Sequence, residues 1–514
     1  MSESPFTSRD KLTQQKDAQT ALITQADSVA STTGKTVYLS NIAPNRFVIL
    51  LTLASSISGF MFGYDTGYIS AALVQVGTDL LNKVLTSGEK EFITSATSLG
   101  AFFGAILGGV LANLIGRKKV LLGSNIFFIV GTIIQLVAKT VWTMIAGRFV
   151  LGFGVGSASL IAPLMLSELA PSKYRGRLIV TNCIFITGGQ LVAYFINWGL
   201  TRVAHGWRVS VGLCMVPAVL QLVLFFFLPD TPRFYVIKGD YARAKAVYLK
   251  TELHATEEMA DAVVLDMISS NSTVPGGPLG QIWKSIKLIH TNLANFRALI
   301  LACGLQGIQQ FTGFNSLMYF STTIFETIGF KNPTAVSIII AATNFVFTLI
   351  ALCIIDIVGR RRILLFAVPG MCVSLILCAI AFHFLGITFN SNAEVIVKSS
   401  GITGWGIVII IGMVLFVASY AIGIGNSAWT GVELFSDVNV RSVGEHHAPG
   451  TFAFFACLCF ISFLFIFFLL PDVAGLELEQ TTELLEGGFN VKKAGKMSRE
   501  ARRLARIIRL DVPV

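Results

Sequence analysis

The chain has 514 residues, 54% hydrophobic and only 13% charged, with 40 Phe, 47 Gly and a mean hydropathy of +0.71. Soluble domains carry about 25% charged residues, so a soluble globular fold is excluded, as are a disordered chain, a collagen repeat and, with 8 Cys, a disulfide scaffold. The net charge of +10 would suggest nucleic-acid binding in a soluble protein, but here it follows from Lys and Arg gathering on one side of a membrane.

Residues 1–45 are rich in Ser, Thr and Gln without an apolar core and are expected to be a disordered cytoplasmic tail with no signal peptide. Eleven apolar runs follow, at 47–73, 92–115, 120–138, 142–166, 178–200, 208–228, 297–320, 335–358, 363–386, 405–430 and 450–470. Each is close to the roughly 20 residues a helix needs to cross the hydrocarbon core. Only helices satisfy their backbone within such a segment, so the fold class is an all-α, polytopic membrane bundle. Loops after the second, fourth and eighth runs carry Arg117-Lys118-Lys119, Lys173/Arg175/Arg177 and Arg360-Arg361-Arg362, which sets them and the N-terminus in the cytoplasm. The loop at 229–296 then also lies inside, with a polar helical stretch from Asp240 to Met267. Trp142, Trp207 and Trp405 near run ends read as interfacial belt residues. All Cys lie in apolar runs, where a thiol acts as a small hydrophobe, and no metal framework, nucleophile or acid–base cluster appears. No cofactor and no enzymatic activity are expected.

The runs repeat. Gly116-Arg117-Lys118-Lys119 recurs as Gly359-Arg360-Arg361-Arg362, Glu168 with Arg175 recurs as Glu433 with Arg441, and Pro229-Asp230 recurs as Pro471-Asp472. Two copies of a six-span unit are the arrangement of transporters whose halves rock about a midplane site. The expected division is 46–228 for the first half, 229–296 for the loop, 297–472 for the second half and 473–514 for a basic cytoplasmic tail. The copies are unequal, however. Glu168 to Pro229 spans 61 residues and Glu433 to Pro471 only 38, a deficit of 23 that equals one crossing. The counterpart of the fifth span is missing, and Ser436 to Pro449 stands in its place.

Two kinds of polar residue stand out within the runs. Asp65 lies among apolar and Gly residues, where an ionisable group is costly enough to mark a role, and Arg148 in the fourth run is its candidate partner. Gln190, Gln309, Gln310, Asn315 and Asn344 are amides within apolar runs, each offering both donors and acceptors. The bland alternatives are a static interhelical salt bridge for the charged pair and interhelical glue for each amide.

Several motifs together resemble the sugar porter branch of the major facilitator superfamily. They are Gly63-Tyr64-Asp65-Thr66-Gly67, Gly147-Arg148 with Gly152, Gly154 and Gly156, Glu168…Arg175-Gly176-Arg177, Pro229-Asp230-Thr231-Pro232-Arg233, Gln309-Gln310…Asn315 and Gly359-Arg360-Arg361. Thr187-Gly188-Gly189-Gln190-Leu191, Asp230 and Phe314-Asn315-Ser316-Leu317-Met318-Tyr319-Phe320 are most similar to fungal-type myo-inositol/proton symporters. The resemblance implies the major facilitator fold and import of a polyol, with myo-inositol the leading candidate, by proton symport and alternating access. It implies Asp65 and Arg148 as the proton-coupling pair, the amides and Trp429 as substrate ligands, and Arg117, Glu168, Arg175, Arg233, Arg360, Glu433 and Arg441 as a cytoplasmic gate of salt bridges between the halves.

A hexose is the alternative cargo, and a monomer in the plasma membrane is expected, with polyol, proton and lipid as partners and no nucleic acid. Two departures matter: the family's eleventh span is absent, and Asn113 stands where an Asp normally helps latch the outward-open state. Three readings therefore compete: an incomplete gene model or splice form of a working carrier, a decayed paralogue, and a non-transporting sensor.

Overall fold

The computed structural model of the protein describes residues 45–80, 84–169, 175–252, 255–271, 291, 293–358, 360–385, 387–389, 395–397, 404–427, 448–471, 491 and 493–497. The first half is built from α1 (Arg46–Gln75), α2 (Ser87–Ile115), α3 (Arg117–Leu136), α4 (Val141–Leu169), α5 (Arg175–Leu200) and the pair α6 (Gly206–Leu213) and α7 (Met215–Phe227). Helix α1 has 30 residues, about 45 Å at about 1.5 Å per residue, enough to cross the bilayer and project beyond it. The Asn45 side chain caps it by accepting from the Phe47 N–H, and Thr86 with Glu89 forms a reciprocal capping box at the start of α2. Gly116 alone joins α2 to α3 at φ +102°, a backbone that L side chains rarely adopt. A Cβ there would run into the Asp230 carboxylate.

Small residues let the helix backbones of this half touch. On α2, a Cβ at Gly100 or Gly104 would strike the carbonyls of Phe149 or Phe153; on α4, a Cβ at Gly152 or Gly156 would strike those of Thr97 or Ala101. Gly154 lies against the Ser124 carbonyl of α3, so the alternate-glycine motif of the fourth span serves helix packing on two sides. Helices α1 and α5 approach the same way, Gly63 on the Ile186 carbonyl and Gly189 on that of Phe60.

Three short helices follow, α8 (Pro232–Ile237), α9 (Tyr241–Thr251) and α10 (Glu257–Asn271). The expected polar stretch is thus two helices, held together by Lys245 Nζ reaching Asp261 at 2.8 Å and Glu257 at 3.3 Å. Asn45 Nδ2 donates to the Lys250 carbonyl at 2.8 Å, tying them to the start of α1.

The second half contains α11 (Leu293–Phe311), α12 (Phe314–Ile328), α13 (Pro333–Val358), α14 (Arg360–Leu385), α15 (Gly404–Ile422), the single turn α16 (Ile424–Ser427) and α17 (Ala448–Leu469). A small antiparallel ribbon, β1 (Ile387–Phe389) with β2 (Val395–Val397), lies between α14 and α15 and pairs Thr388 with Ile396. The seventh apolar run, which reads as one helix, is two. The chain breaks at Thr312-Gly313, where Gly313 is left-handed at φ +80° and the Phe455 ring fills the space a Cβ would take.

Among the described residues, nine helical segments are long and apolar enough to cross a membrane, and the apolar part of α17, Phe454–Leu469, is shorter. With the divided seventh run, they account for the eleven runs. No described helix lies between α16 and α17; the stretch that stands for the missing span, 436–449, falls outside the described residues apart from the start of α17. Phe226, Phe227 and Phe366 are exposed, as lipid-facing side chains are. Trp142 is exposed at a span end as a belt residue should be, and Trp405 stacks on Phe384 at 4.8 Å. Trp207 is not a belt residue. It is fully buried, its Nε1–H donating to Asp79 at 2.7 Å, because an indole N–H inside the bundle needs an acceptor.

Candidate functional site

Helices α2 and α4 touch through glycines, as do α1 and α5, and where α1 meets α4 two buried charged groups face each other directly. Arg148 Nη1 donates to Asp65 Oδ1 at 2.5 Å and to the Tyr68 hydroxyl at 2.9 Å, and Arg148 Nε reaches the Ile93 carbonyl at 3.4 Å. Both members of the pair are buried, at 0% and 1% side-chain exposure. The pair uses one bond where a guanidinium and a carboxylate can make two, leaving Asp65 Oδ2 and Arg148 Nη2 buried without a hydrogen-bond partner.

The amides meet in pairs. Asn344 Nδ2 on α13 donates to Gln190 Oε1 on α5 at 2.8 Å, a bond between the halves. Gln309 Nε2 donates to the Tyr420 hydroxyl at 3.0 Å and to the Gly425 carbonyl at 3.4 Å. Asn315 Nδ2 donates to Gln310 Oε1 at 2.6 Å across the Gly313 break. Phe314 lies flat on the Tyr420 ring, centroids 3.6 Å apart and planes within 6°. All five predicted amides therefore sit at the seam or on the broken span; Trp429 lies outside the described residues.

Toward the C-terminal end of α1 a set of hydroxyls closes the same seam. Ser70 Oγ on α1 lies 3.2 Å from Ser321 Oγ and 3.1 Å from Thr322 Oγ1 on α12. Tyr194 on α5 donates to the Met318 carbonyl at 2.7 Å and lies 2.8 Å from Ser321 Oγ. Tyr319 and Phe320 pack against the first half's core, and Tyr194 joins the second half's, so α12 is shared. Tyr64, by contrast, is packing: its hydroxyl donates to the Ser210 carbonyl at 3.1 Å.

Where α2 turns into α3 and α4 ends, Arg117 Nη2 donates to Glu168 Oε1 at 2.8 Å and its Nη1 to the Ala112 carbonyl at 3.2 Å. This pair lies within the first half and does not itself bridge the halves. Asp230 accepts from the backbone N–H groups of Arg117 and Lys118 at 3.2 and 3.3 Å, so a residue from the end of the sixth span caps α3. Burial pushes the Asp230 carboxyl up from its ordinary value, against the pull of those N–H groups. Arg233 and Asn113 are exposed. The side chains of Arg175 and Arg360, and Glu433 and Arg441 altogether, lie outside the described residues.

Sequence reasoning overlooked Tyr68, Gln135, Tyr194, Ser70 and Tyr420. Tyr68 was within reach, because it is one turn from Asp65 at i+3. Hydroxyls in apolar runs give no comparable signal.

The order of these elements matches known carriers. Residues 51–448 match the family described as "Sugar (and other) transporter". The chain belongs to the sugar transporter family. It is 70% identical, over 90% of its length and 87% of the relative's, to Myo-inositol transporter 1 of Candida albicans. Myo-inositol transporter 1 of Saccharomyces cerevisiae is 50% identical over 88% of this chain and 82% of the relative. Among solved structures it is similar to the proton:xylose symporter XylE bound to 6-bromo-6-deoxy-D-glucose, with a TM-score of 0.69, 22% identity and coverage of 85% of this chain and 99% of that one. The partially occluded inward-open form of XylE from E. coli gives a TM-score of 0.67 at 22% identity, covering 84% of this chain and 100% of that one. The fold is thus that of the major facilitator superfamily, and this multi-pass membrane protein of the sugar porter family is a transporter, not an enzyme.

Proposed function

We propose that this protein imports myo-inositol together with a proton by alternating access, with Asp65 and Arg148 as the coupling pair. The observation that carries the coupling is the half-made ion pair. Buried polar groups are almost always satisfied, and a bridge present only for stability gains from completing both bonds. Asp65 Oδ2 is instead left without a partner, available to take a proton. Protonation would cancel the attraction and free Arg148 to change position as the halves rock.

Gln190, Gln309, Gln310, Asn315 and Asn344 serve the cargo in this reading, with Trp429 as the apolar wall. Amide pairs can exchange one another for ring hydroxyls, N–H for N–H and carbonyl for carbonyl, without a buried charge. The 70% identical Candida relative supports myo-inositol over a hexose. The proposed division is six spans at 46–228 and five at 297–472, with Arg117, Glu168, Arg175, Arg233, Arg360, Glu433 and Arg441 closing the cytoplasmic side. A monomer in the plasma membrane completes the reading.

The test is uptake of labelled myo-inositol into cells without an inositol carrier of their own, with wild type and Asp65→Asn compared. Wild type should accumulate inositol against its gradient in acidic medium, and Asp65→Asn should equilibrate it only. Undiminished accumulation by Asp65→Asn overturns the coupling, and equal competition by glucose overturns the choice of cargo. Absence of uptake with ligand-induced thermal protection would point to the sensor.

A further inference from the structure

The coupling pair has a third member that the sequence motifs do not mark. Tyr68 is fully buried, one turn beyond Asp65 on α1, and its oxygen accepts from the same Arg148 Nη1 that serves the carboxylate. Its own proton is committed elsewhere: the hydroxyl donates to Gln135 Oε1 on α3 at 2.6 Å. Gln135, also fully buried, is fixed in turn by donating its Nε2 to the Gly131 carbonyl at 3.2 Å. The chain of bonds thus runs from Arg148 through Tyr68 and Gln135 to the backbone of α3. With its hydrogen held by Gln135, the Tyr68 hydroxyl presents only lone pairs to the guanidinium.

We infer that Tyr68, oriented by Gln135, is a positioning residue that keeps Arg148 partnered when Asp65 takes up a proton, and so sets how readily Asp65 does so. A buried guanidinium that loses its carboxylate is heavily penalised unless another acceptor remains. The Tyr68 oxygen is that acceptor, with the Ile93 carbonyl at 3.4 Å as a weaker one. Removing Tyr68 leaves the protonated state with a poorly satisfied cation, so the carboxylate holds its charge more tightly. Removing Gln135 releases the Tyr68 proton, which can then turn toward the carboxylate, and a bond to the charged form again favours that form. Both changes disfavour proton uptake.

The other titratable groups near the pair do not duplicate this role. Tyr64 lies on α1 itself, Cys214 lies at the join of α6 and α7 within electrostatic reach of Asp65, and Tyr319 of α12 is within reach of Arg148. Glu89, Lys90 and Glu91 lie at the outer start of α2 and Arg208 near the outer end of α6, while the described part of α5 from 181 to 200 and helix α7 carry no charge.

The inference rests on the coupling proposed above, and the test keeps the two apart. Uptake of labelled inositol is measured from pH 4 to 8 for wild type, Tyr68→Phe, Gln135→Leu and Asp65→Asn, each normalised to protein at the cell surface, with exchange of internal for external inositol as a proton-independent control. Loss of one hydrogen bond to a charged group should move the midpoint about one pH unit toward acid, tenfold in proton concentration, in both Tyr68→Phe and Gln135→Leu. Accumulation by Asp65→Asn would overturn the coupling itself. If Asp65→Asn only equilibrates while the other two keep the wild-type midpoint, and merely run slower or reach the surface less, the positioning role is overturned. Should Tyr68→Phe fail to reach the membrane, Gln135→Leu, which leaves the phenol in place, decides alone.

Discussion

Spans one and four of the first half correspond by the internal repeat to spans seven and ten of the second, and the polar pairs they form differ in kind. In the first half the pair is Asp65 with Arg148, charged, buried and half satisfied. In the second it is Gln309 with Tyr420, neutral and bonded at 3.0 Å, beside a helix interrupted at Gly313. The same architecture therefore carries an ionisable device on a continuous rod and a hydrogen-bonding surface on a broken one. A charge demands rigid, fully enclosing neighbours, and glycine contacts on α1, α2 and α4 provide them. In the reading proposed above, an uncharged polyol is served by exchangeable amides and a backbone that can adjust.

The contrast is most exposed to attack at its charged side. Arg148→Ala should cost about 3–5 kcal/mol by stranding Asp65 in the bundle, seen as a large fall in the melting temperature of the purified protein, and Asp65→Asn in the same chain should restore much of it. Gly156→Leu should come next, at about 1–3 kcal/mol, because its side chain enters the space of the Ala101 carbonyl; the same measurement reads it. On the neutral side, Tyr420→Phe should leave the melting temperature nearly unchanged and raise the KM for inositol about fivefold, as loss of a bond worth about 1 kcal/mol predicts. A loss of stability as large as that of Arg148→Ala would erase the distinction between the pairs.

The smallest effect belongs to a charge just beyond the end of α1. Asp79 accepts from Trp207 and lies 2.7 Å from His205 Nδ1. Burial raises its carboxyl, but the bonds from Trp207 and His205 outweigh that and hold it below the ordinary value. A depressed carboxyl contributes stability that is present above its unfolded value, about 3.9, and lost as pH falls through the folded one. Asp79→Asn should therefore flatten the acid limb of thermal stability below about pH 4 and, at neutral pH, lower the melting temperature by only about 1–2 °C.

The spans and the meeting of Asp65 with Arg148 were legible because depth in a bilayer makes composition decisive: an apolar run of about 20 residues has few alternatives, and one Asp within it stands out. The interruption of the seventh span was hidden, since Gly313 is one of 47 glycines and a left-handed φ leaves no trace in hydropathy. The burial of Trp207 was hidden for a related reason. Its position near a span end suited the interface, and only the fold brings Asp79, 128 positions earlier, to its indole nitrogen. The first half's Arg117–Glu168 bridge likewise required the tight reversal at Gly116 before its location within one half could be known.

The glycine contacts have a mechanical corollary. Where carbonyl meets α-carbon with no side chain between, as along α2 with α4 and α1 with α5, two rods cannot slide or splay without losing dense packing along several turns at once. The seam between the halves is sealed differently, by Gln190 with Asn344 and by Ser70 and Tyr194 with Ser321, links of a kind that average about 0.6 kcal/mol inside membranes and that water can replace. Thermal energy is enough to undo such links a few at a time, so the seam is the plane along which the molecule can part while each glycine-packed block travels intact.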